Sequence, residues 1–477
     1  MAYPFWMMLT GSVSDSLDFR DRRMLPAYLT DRNELFVKFL SRRYSDRDLL
    51  QHVYPLEGAI RLGDYRGKLT APDKTAGSQF LKDWEEFLKT RMDTNHLAIA
   101  NIATATGAYQ KFLLSKFSTP NVREGPPPLE ALNQRYRMMF DAFSFIELPP
   151  RSVGEKVSIT SPVFQDFDVF LRELPPDEVL AVGNDFLRKP LAFGETNDSP
   201  ERRWQRFLQE RYPSDEALAA AWNVSGVTRT PEALPYREVD AALFVGNERE
   251  LRWKFATENY RRVWQLLSER SDAIRNTLVL IALTLVTTLL VNPLAAYALS
   301  RFPGAGGRMA LVVILMTIAF PAEVGMIPGF LLLRDLNMLN TYAALVLPAV
   351  VSGFSIFLLK GFFDGLPEEL YESAALEGAD ELTVFWKIAM PLSAPILAVT
   401  ALGTFTATYG GYMWALLVCQ APEMWTIMVW LFQFQLQFSD EPWLAMAAFA
   451  IASVPTLFVF VLCQRIILQG IVVPVEK

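Results

Sequence analysis

The stretch ESAALEGAD at residues 372–380 lies between two strongly apolar segments, which is typical of a loop at a membrane surface. Four of its residues are spaced to share one face of a short helix: Glu372, Ala375, Leu376 and Ala379. Gly378 can adopt a turn that a side chain would disfavour, and Pro391 ends the element that follows. The sequence therefore predicts two short helices joined by a bend, a rigid projection that fits a groove on a soluble protein. The alternative is an ordinary acidic amphipathic loop.

Charged residues are divided unevenly along the 477-residue chain, which is too long for one ordinary core. Only 8 of the 45 Lys and Arg and 14 of the 52 Asp and Glu lie from Ser271 onward. We therefore expect a charge-rich, soluble-like N-terminal part and a charge-poor membrane part. The net charge of −7 argues against nucleic-acid binding. The two cysteines and two histidines offer neither a disulfide framework nor metal-ligand spacing.

Five segments after Ser271 are predicted to be membrane spans, because a span needs roughly 20 apolar residues. They are residues 277–299, 309–333, 342–363, 392–418 and 443–468. Residues 364–391 then form the loop that contains the ESAALEGAD stretch. A buried soluble helix can imitate one such segment, but five in succession favour a membrane domain at residues 271–477.

Lysine and arginine in the short connections predict the orientation of these spans. Basic residues flank the connections on one side: Arg301, Arg308, Lys360, Lys387 and Arg465. The opposite side offers only Arg334, which is next to Asp335. This bias predicts that the 364–391 loop is cytoplasmic and that residues 12–270 are extracytoplasmic.

Glu323 lies inside the second apolar segment, where an ionisable group suggests a functional role. The interpretation that we favour is that Pro321 and Pro328 break the helix, so that Glu323 lies at the outer interface.

The loop resembles the E-A-A-x-x-x-G-(nine residues)-I-x-L-P loop of ABC importer permeases. The likeness extends over roughly the last 200 residues and is closest to the carbohydrate-type, maltose-permease-like branch of binding-protein-dependent importers. Further matching stretches are LAAYALSRF at 294–302, Ile327-Pro328 and LNTY at 339–342. The resemblance implies that seven residues belong to the surface that docks on the ATPase: Glu372, Ala374, Ala375, Gly378, Ala379, Ile388 and Pro391. Ser373, Glu377 and Met390 are mild departures from the pattern.

The same resemblance implies a mainly α, polytopic membrane permease of six spans, of which five are visible here. The chain would be a transporter subunit in the cytoplasmic (inner) membrane and not an enzyme, with no cofactor of its own, because ATP and Mg²⁺ bind the partner ATPase. Implied partners are ABC ATPase subunits, a second permease subunit, an extracytoplasmic substrate-binding protein and membrane lipid. The implied substrate is a sugar or oligosaccharide.

The fourth predicted span departs from the family at YGGYMWAL, residues 409–416. Aromatic faces suit sugar rings, so Tyr409, Tyr412 and Trp414 are candidates for a substrate path. The alternative is that they are interfacial or helix-packing aromatics.

Residues 1–11 resemble the outer end of the family's first span, although they are too few to cross a bilayer. We therefore expect an apolar stretch of about 20 residues upstream of this start.

Residues 12–270 are predicted to form a large α-rich extracytoplasmic insert between the first and second spans. One pattern recurs at helical spacing, from Phe36 to Tyr44 and from Trp204 to Tyr212, with partial copies that begin at Trp84 and Phe167. Duplicated helical hairpins and ordinary amphipathic helices both remain open. Residues 204–222 resemble a helical segment of some β-galactosidase-type hydrolases. The rival function is therefore an extracytoplasmic glycan-binding or hydrolytic domain tethered to a degenerate permease.

Overall fold

The computed structural model describes residues 2–19, 25–44, 47–59, 62–100, 102–118, 128–140, 143, 146–149, 161–183, 199–269, 271–302, 304–319 and 321–470. The chain divides into two compact units. Unit 1 contains Met1–Phe19 and Ala256–Lys477, and unit 2 contains Arg20–Phe255. The domain limits predicted at residues 12 and 271 stay predictions.

The first twelve helices run from the N-terminus to the first long apolar helix. They are α1 (Ala2–Ser12), α2 (Arg32–Arg43), α3 (Arg47–Val53), α4 (Ser78–Thr90), α5 (Ile102–Phe117), α6 (Pro128–Tyr136), α7 (Pro162–Glu173), α8 (Pro200–Arg211), α9 (Asp215–Trp222), α10 (Tyr236–Phe244), α11 (Glu248–Glu269) and α12 (Ala273–Arg301). Two strands, β1 (Leu97–Ile99) and β2 (Val179–Ala181), pair antiparallel with Leu97 opposite Ala181.

The remaining helices belong to unit 1. They are α13 (Ala305–Ala319), α14 (Ala322–Asp335), α15 (Tyr342–Val346), α16 (Gly353–Asp364), α17 (Glu368–Leu376), α18 (Glu381–Val384), α19 (Met390–Leu392), α20 (Ala394–Gly410), α21 (Met413–Val418), α22 (Ile427–Gln437) and α23 (Pro442–Gly470). A π-helical turn at Phe385–Ala389 joins α18 to α19.

Among the described residues, two helical stretches are long and apolar enough to cross a membrane: Ala273–Arg301 and Pro442–Gln464. The number rises to four if two bent pairs each count as one span, Tyr342–Ala349 with Gly353–Asp364 and Glu381–Leu392 with Ala394–Gly410. The five predicted spans and the six of the family stay predictions.

Proline accounts for a break within the predicted span 309–333. Helix α13 ends at Ala319, and α14 begins after Pro321, whose ring removes a backbone donor. This apolar segment is therefore two helices and not one. Glu323 lies in the first turn of α14 and is exposed. The break at Pro321 is as expected, but Pro328 lies inside α14 and does not break it, and a position of Glu323 at the outer interface stays a prediction.

The N-terminal helix α1 packs against α23 within unit 1. Asn259 fixes its end, because the side-chain amide donates hydrogen bonds of 2.8 Å to the carbonyl oxygens of both Ser12 and Ser14. At Gly11 a Cβ atom would meet the sulfur of Met446. A side chain at position 11 would therefore require the Met446 side chain to move.

Among the described residues of unit 2, one motif occurs three times, an Arg-Tyr pair that binds a buried aspartate on another helix. Its three versions are Arg43-Tyr44 with Asp240, Arg135-Tyr136 with Asp166, and Arg211-Tyr212 with Asp83. The three carboxylate side chains are between 0% and 2% exposed. Each buried charge is thus paired and hydrogen-bonded, as burial requires.

We call each set of an arginine, a tyrosine and the aspartate that they bind a clamp. The distances within the three clamps agree closely. The arginine nitrogen lies 2.6 Å from the Asp240 carboxylate, 3.0 Å from that of Asp166 and 3.0 Å from that of Asp83. A third donor completes each set, namely Tyr54 at 3.0 Å, Lys116 at 2.8 Å and Trp222 at 2.8 Å respectively.

This arrangement explains the recurring sequence pattern. The two better copies end in the arginine and tyrosine of a clamp, on α2 and α8, and each is followed by a second helix, α3 or α9. The second helix expected after each of these copies is therefore present, while duplicated hairpins and ordinary amphipathic helices stay alternatives. The partial copies at Trp84 and Phe167 belong instead to the helices that carry Asp83 and Asp166. Sequence analysis missed the third Arg-Tyr pair, because the helix of Arg135 lacks the leading aromatic residues.

Candidate functional site

The first helix of the 364–391 loop ends in a glycine turn. Gly378 has a φ of +79°, its amide donates to the Ala375 carbonyl at 3.0 Å, and the Ala379 amide donates to the Ala374 carbonyl at 3.0 Å. This is the Schellman arrangement, which satisfies the last carbonyl groups of a helix and favours glycine. The predicted bend is therefore confirmed.

The second helix of the loop begins after Asp380 and changes to a π-helical turn before Pro391. The Thr383 hydroxyl donates to the Asp380 carboxylate and lowers the pKa of that carboxyl. Pro391 has no amide hydrogen, and the preceding π-helical turn, in which the Met390 amide donates to the Phe385 carbonyl, takes the chain past it. Pro391 therefore lies inside the last turn of this element and does not end it, since the helical run continues to Leu392. The axis then bends by 78° into α20.

One side of the loop is buried in unit 1. The buried residues of the loop pack against the C-terminal end of α12 and against α16. They are Tyr371, Ala374, Val384, Phe385 and Ala389. The ring of Tyr297 on α12 lies 5.1 Å from that of Phe385 and 5.7 Å from that of Phe363, both edge-on. Aromatic contacts of this geometry add to the apolar burial and anchor this side of the loop to α12 and α16.

The other side of the loop exposes apolar side chains. Leu376 is 90% exposed at the end of α17, Leu382 is 60% exposed and Trp386 is 46% exposed on the next helix. Glu372 and Ala375 are exposed beside Leu376. We call these five residues the outer face of the loop. Large apolar side chains at this exposure are typical of a surface that contacts another protein.

The predicted docking residues lie on both sides of the loop. Glu372, Ala375, Gly378 and Pro391 are exposed, Ala379 and Ile388 are half-buried, and Ala374 is buried against α12 and α16. Ala374 therefore packs inside its own unit. The predicted docking residues did not include Leu382 and Trp386. Their spacing of four residues puts both on one side of a helix, and each is next to a charged residue, so the sequence contained a signal for an exposed apolar pair.

Two side chains of α12 hold the loop through polar contacts. The Tyr297 hydroxyl donates to Glu381 Oε2 at 2.7 Å, and Arg301 Nη2 lies 3.8 Å from Glu381 Oε1. The Arg301 guanidinium also lies over the Tyr371 ring, 4.1 Å from its centre. Sequence analysis used residues 294–302 for the family resemblance and Arg301 for the orientation of the spans, and it did not predict these contacts with the loop.

The three candidates for a substrate path are not brought together on one open surface. The Tyr409 ring is buried, and its hydroxyl donates to the Ala452 carbonyl at 2.5 Å. Trp414 donates its indole N–H to the Ala344 carbonyl at 2.9 Å. Tyr412 is 38% exposed and stacks on Phe432. Tyr409 and Trp414 thus make helix-packing contacts, and the path stays a prediction.

Known proteins resemble the C-terminal part of the chain. Residues 291–473 match the family described as binding-protein-dependent transport system inner membrane component. The polygalacturonan/rhamnogalacturonan transport system permease protein YtcP of Bacillus subtilis (strain 168) is 30% identical over 263 residues, covering 50% of this chain and 90% of YtcP. The trehalose/maltose transport system permease protein MalG of Thermococcus litoralis is 33% identical over 225 residues, covering 46% of this chain and 80% of MalG. The crystal structure of a bacterial ABC transporter involved in the import of the acidic polysaccharide alginate aligns with a TM-score of 0.39 at 27% identity, covering 43% of this chain and 78% of that one.

Proposed function

Because the chain belongs to the family of inner-membrane components of binding-protein-dependent transport systems, we propose that it is the permease subunit of an ATP-driven sugar importer. In this proposal the 364–391 loop docks on an ATPase subunit, and the spans carry the substrate across the cytoplasmic membrane. ATP and Mg²⁺ bind the ATPase partner, and this chain performs no bond chemistry.

The outer face of the loop is the observation that carries the proposal. A projection stiffened by a Schellman turn, and packed on α12 and α16 from behind, presents Leu376, Leu382 and Trp386 outward. A preorganised apolar surface of this kind binds a groove with little loss of conformational entropy. Since the backbone of the loop packs on its own unit, displacement of the outer face would move α12 and α16.

The remaining partners follow from the family and from charge. We propose a second permease subunit beside this one, and an extracytoplasmic binding protein that delivers substrate. The bias of Arg301, Lys360 and Lys387 toward one side supports a cytoplasmic position for the loop and an extracytoplasmic position for residues 12–270.

The substrate class rests on the relatives. YtcP and MalG are described as transporting polygalacturonan or rhamnogalacturonan and trehalose or maltose, respectively. We therefore propose a sugar or oligosaccharide as substrate. Of the three aromatic path candidates, Tyr412 is the one whose ring is best placed to meet a sugar, since it remains 38% exposed.

Unit 2 supports a structural or docking role more than hydrolysis. The carboxylates of the three clamps are buried, and each is bound by an arginine and a tyrosine. They are Asp83, Asp166 and Asp240. A glycosidase needs two carboxyl groups that face one another across a substrate. These three are instead engaged inside the core of unit 2.

Co-purification with ATPase subunits tests the docking. The full chain is co-expressed with ATPase subunits encoded near it, and capture is compared for wild type, Leu376→Glu and Leu376→Met. Because Leu376 is 90% exposed, neither variant disturbs the packing of unit 1. We expect capture by wild type and Leu376→Met and at least tenfold less by Leu376→Glu, as for the loss of about 1.4 kcal/mol. Absence of capture by the wild type would refute the proposal and direct the search for function to unit 2.

A further inference from the structure

Helix α12 makes two polar attachments, one to the loop and one to the break between α15 and α16. The two residues of α12 that make them are five positions apart. Near its C-terminal end, the Tyr297 hydroxyl donates to Glu381 of the loop. One and a half turns earlier, Asn292 is fully buried and contacts the break between α15 and α16. These two attachments are separated by about 7.5 Å along the helix, at 1.5 Å per residue.

Asn292 satisfies both sides of the break. Its amide nitrogen donates to the Val350 carbonyl at 3.2 Å, and its carbonyl oxygen accepts from the Ser352 amide at 3.0 Å. The helix axis changes direction by 45° at this point. Backbone groups freed at membrane depth must find partners inside the protein. Asn292 is therefore the side chain that fixes the bend.

The Tyr297–Glu381 hydrogen bond is the stronger of the two polar ties to the loop. A bond of 2.7 Å to a carboxylate is charge-assisted and short. The Arg301 contact is longer, at 3.8 Å, and the Glu381 side chain is 51% exposed there. An ion pair of that exposure contributes little.

Resting on the proposed function, we infer that Tyr297 and Glu381 are positioning residues, which make the loop and α12 move as one body. Displacement of the loop by the ATPase is then delivered through α12 to Asn292, and from there to the bent span. The hydrogen bond between α12 and the loop, and not the docking surface, couples the two elements. Tyr297 is buried and is not part of the outer face.

The chain provides a matched control for Tyr297. Tyr371 belongs to the same aromatic cluster, its ring being tilted against that of Tyr297 at 6.4 Å, but its hydroxyl has no hydrogen-bond partner among the described residues. Both Tyr→Phe changes keep the ring and its packing. Only Tyr297→Phe removes a hydrogen bond to Glu381. The Glu381 carboxylate is exposed enough to be hydrated by water after this change, so it is not left as an unsatisfied buried charge.

Distances between spin labels in the full chain bound to its ATPase subunits test the inference. With the native cysteines replaced, one label is placed at Glu377 on the loop and a second at Val286 on α12, which is 66% exposed. A second pair joins Glu377 to Phe458 on α23, which is 64% exposed. Each pair is measured without nucleotide and with MgATP.

We expect MgATP to change the Glu377–Phe458 distance by about 5 Å, the one-turn shift seen in switching helices. The Glu377–Val286 distance should stay constant in wild type and Tyr371→Phe, and should shift or broaden in Tyr297→Phe. The inference is overturned if the Glu377–Val286 distance changes in wild type, if neither pair responds, or if the two Tyr→Phe variants behave alike. Capture of the ATPase is scored separately in the same samples, so its loss in wild type would refute the proposed function itself.

Discussion

Replacement of Gly378 by alanine tests whether the backbone of the bend matters for docking. A Cβ atom built at Gly378 has no neighbour within 4 Å, so alanine meets no steric obstacle in the chain itself. Its φ of +79°, however, is a left-handed conformation that costs an L-residue roughly 1–2 kcal/mol. The expected penalty is therefore conformational strain alone.

That strain can be converted into a loss of binding. If the ATPase binds only the bent form, a penalty of roughly 1–2 kcal/mol reduces the bent population, and with it the apparent affinity, by at most a factor of about 5–30. Gly378→Asn is the matched control, because asparagine tolerates this region. The chain itself uses Asn223, Asn337 and Asn340 at φ values of 54° to 57°.

Titration of purified ATPase subunits onto the full chain in nanodiscs gives the affinities directly. We expect Gly378→Ala to bind more weakly than wild type, and Gly378→Asn to recover most of the difference. Equal affinity for alanine and glycine would show that the left-handed bend is not required. Asparagine binding as weakly as alanine would show that side-chain contact at this position, and not backbone strain, controls docking.

Three further predictions concern the buried polar contacts. Asp240→Asn should destabilise unit 2 by about 3–5 kcal/mol, because a nearly buried arginine loses its charged partner, whereas Tyr44→Phe should cost only about 1 kcal/mol. Denaturant unfolding followed by tryptophan fluorescence compares the two, and equal losses would contradict the clamp. Burial raises the pKa of Asp166, but hydrogen bonds from Arg135 and Lys116 outweigh this and leave it below its usual range. Its contribution to stability is therefore complete above the ordinary carboxyl pKa and is lost as the pH falls through the depressed value, so Asp166→Asn should flatten the acid side of the unfolding profile. An unchanged profile would refute this linkage. Asn292→Ala should lower the stability of the detergent-solubilised chain by about 1–3 kcal/mol for each backbone group left unpaired at the break, and a melting temperature equal to that of wild type would contradict this.

Local sequence determined several of the elements. The Gly378 bend, the proline break before Glu323 and the second helix that follows Tyr44 all depend on residues within one or two helical turns. Backbone sterics, missing donors and helical periodicity act over that range. Similarly, an apolar stretch of membrane length can be recognised without its neighbours, as Ala273–Arg301 was.

Tertiary structure decided which groups meet. Arg43 and Asp240 are 197 residues apart, and Tyr297 and Glu381 are 84 apart, so no local pattern pairs them. The recurrence that starts at Phe36 was visible in the sequence, but its meaning, an arginine and a tyrosine closing on a distant aspartate, was not. The three-dimensional path of the chain sets these pairings, because many carboxylates are equally compatible with an arginine until packing buries one of them.

The same division applies to the candidate site. Helical spacing in the sequence placed Glu372, Ala375 and Leu376 on one face, but it did not show which side of the loop packs inward. Burial of Tyr371 and Ala374 against α12 and α16 decides that, and it leaves Leu376 outward. Sequence by itself therefore determined that a bent, helical projection exists between apolar segments. Only the tertiary structure determined which of its faces is free to bind a partner, since burial depends on neighbours that are distant in the chain.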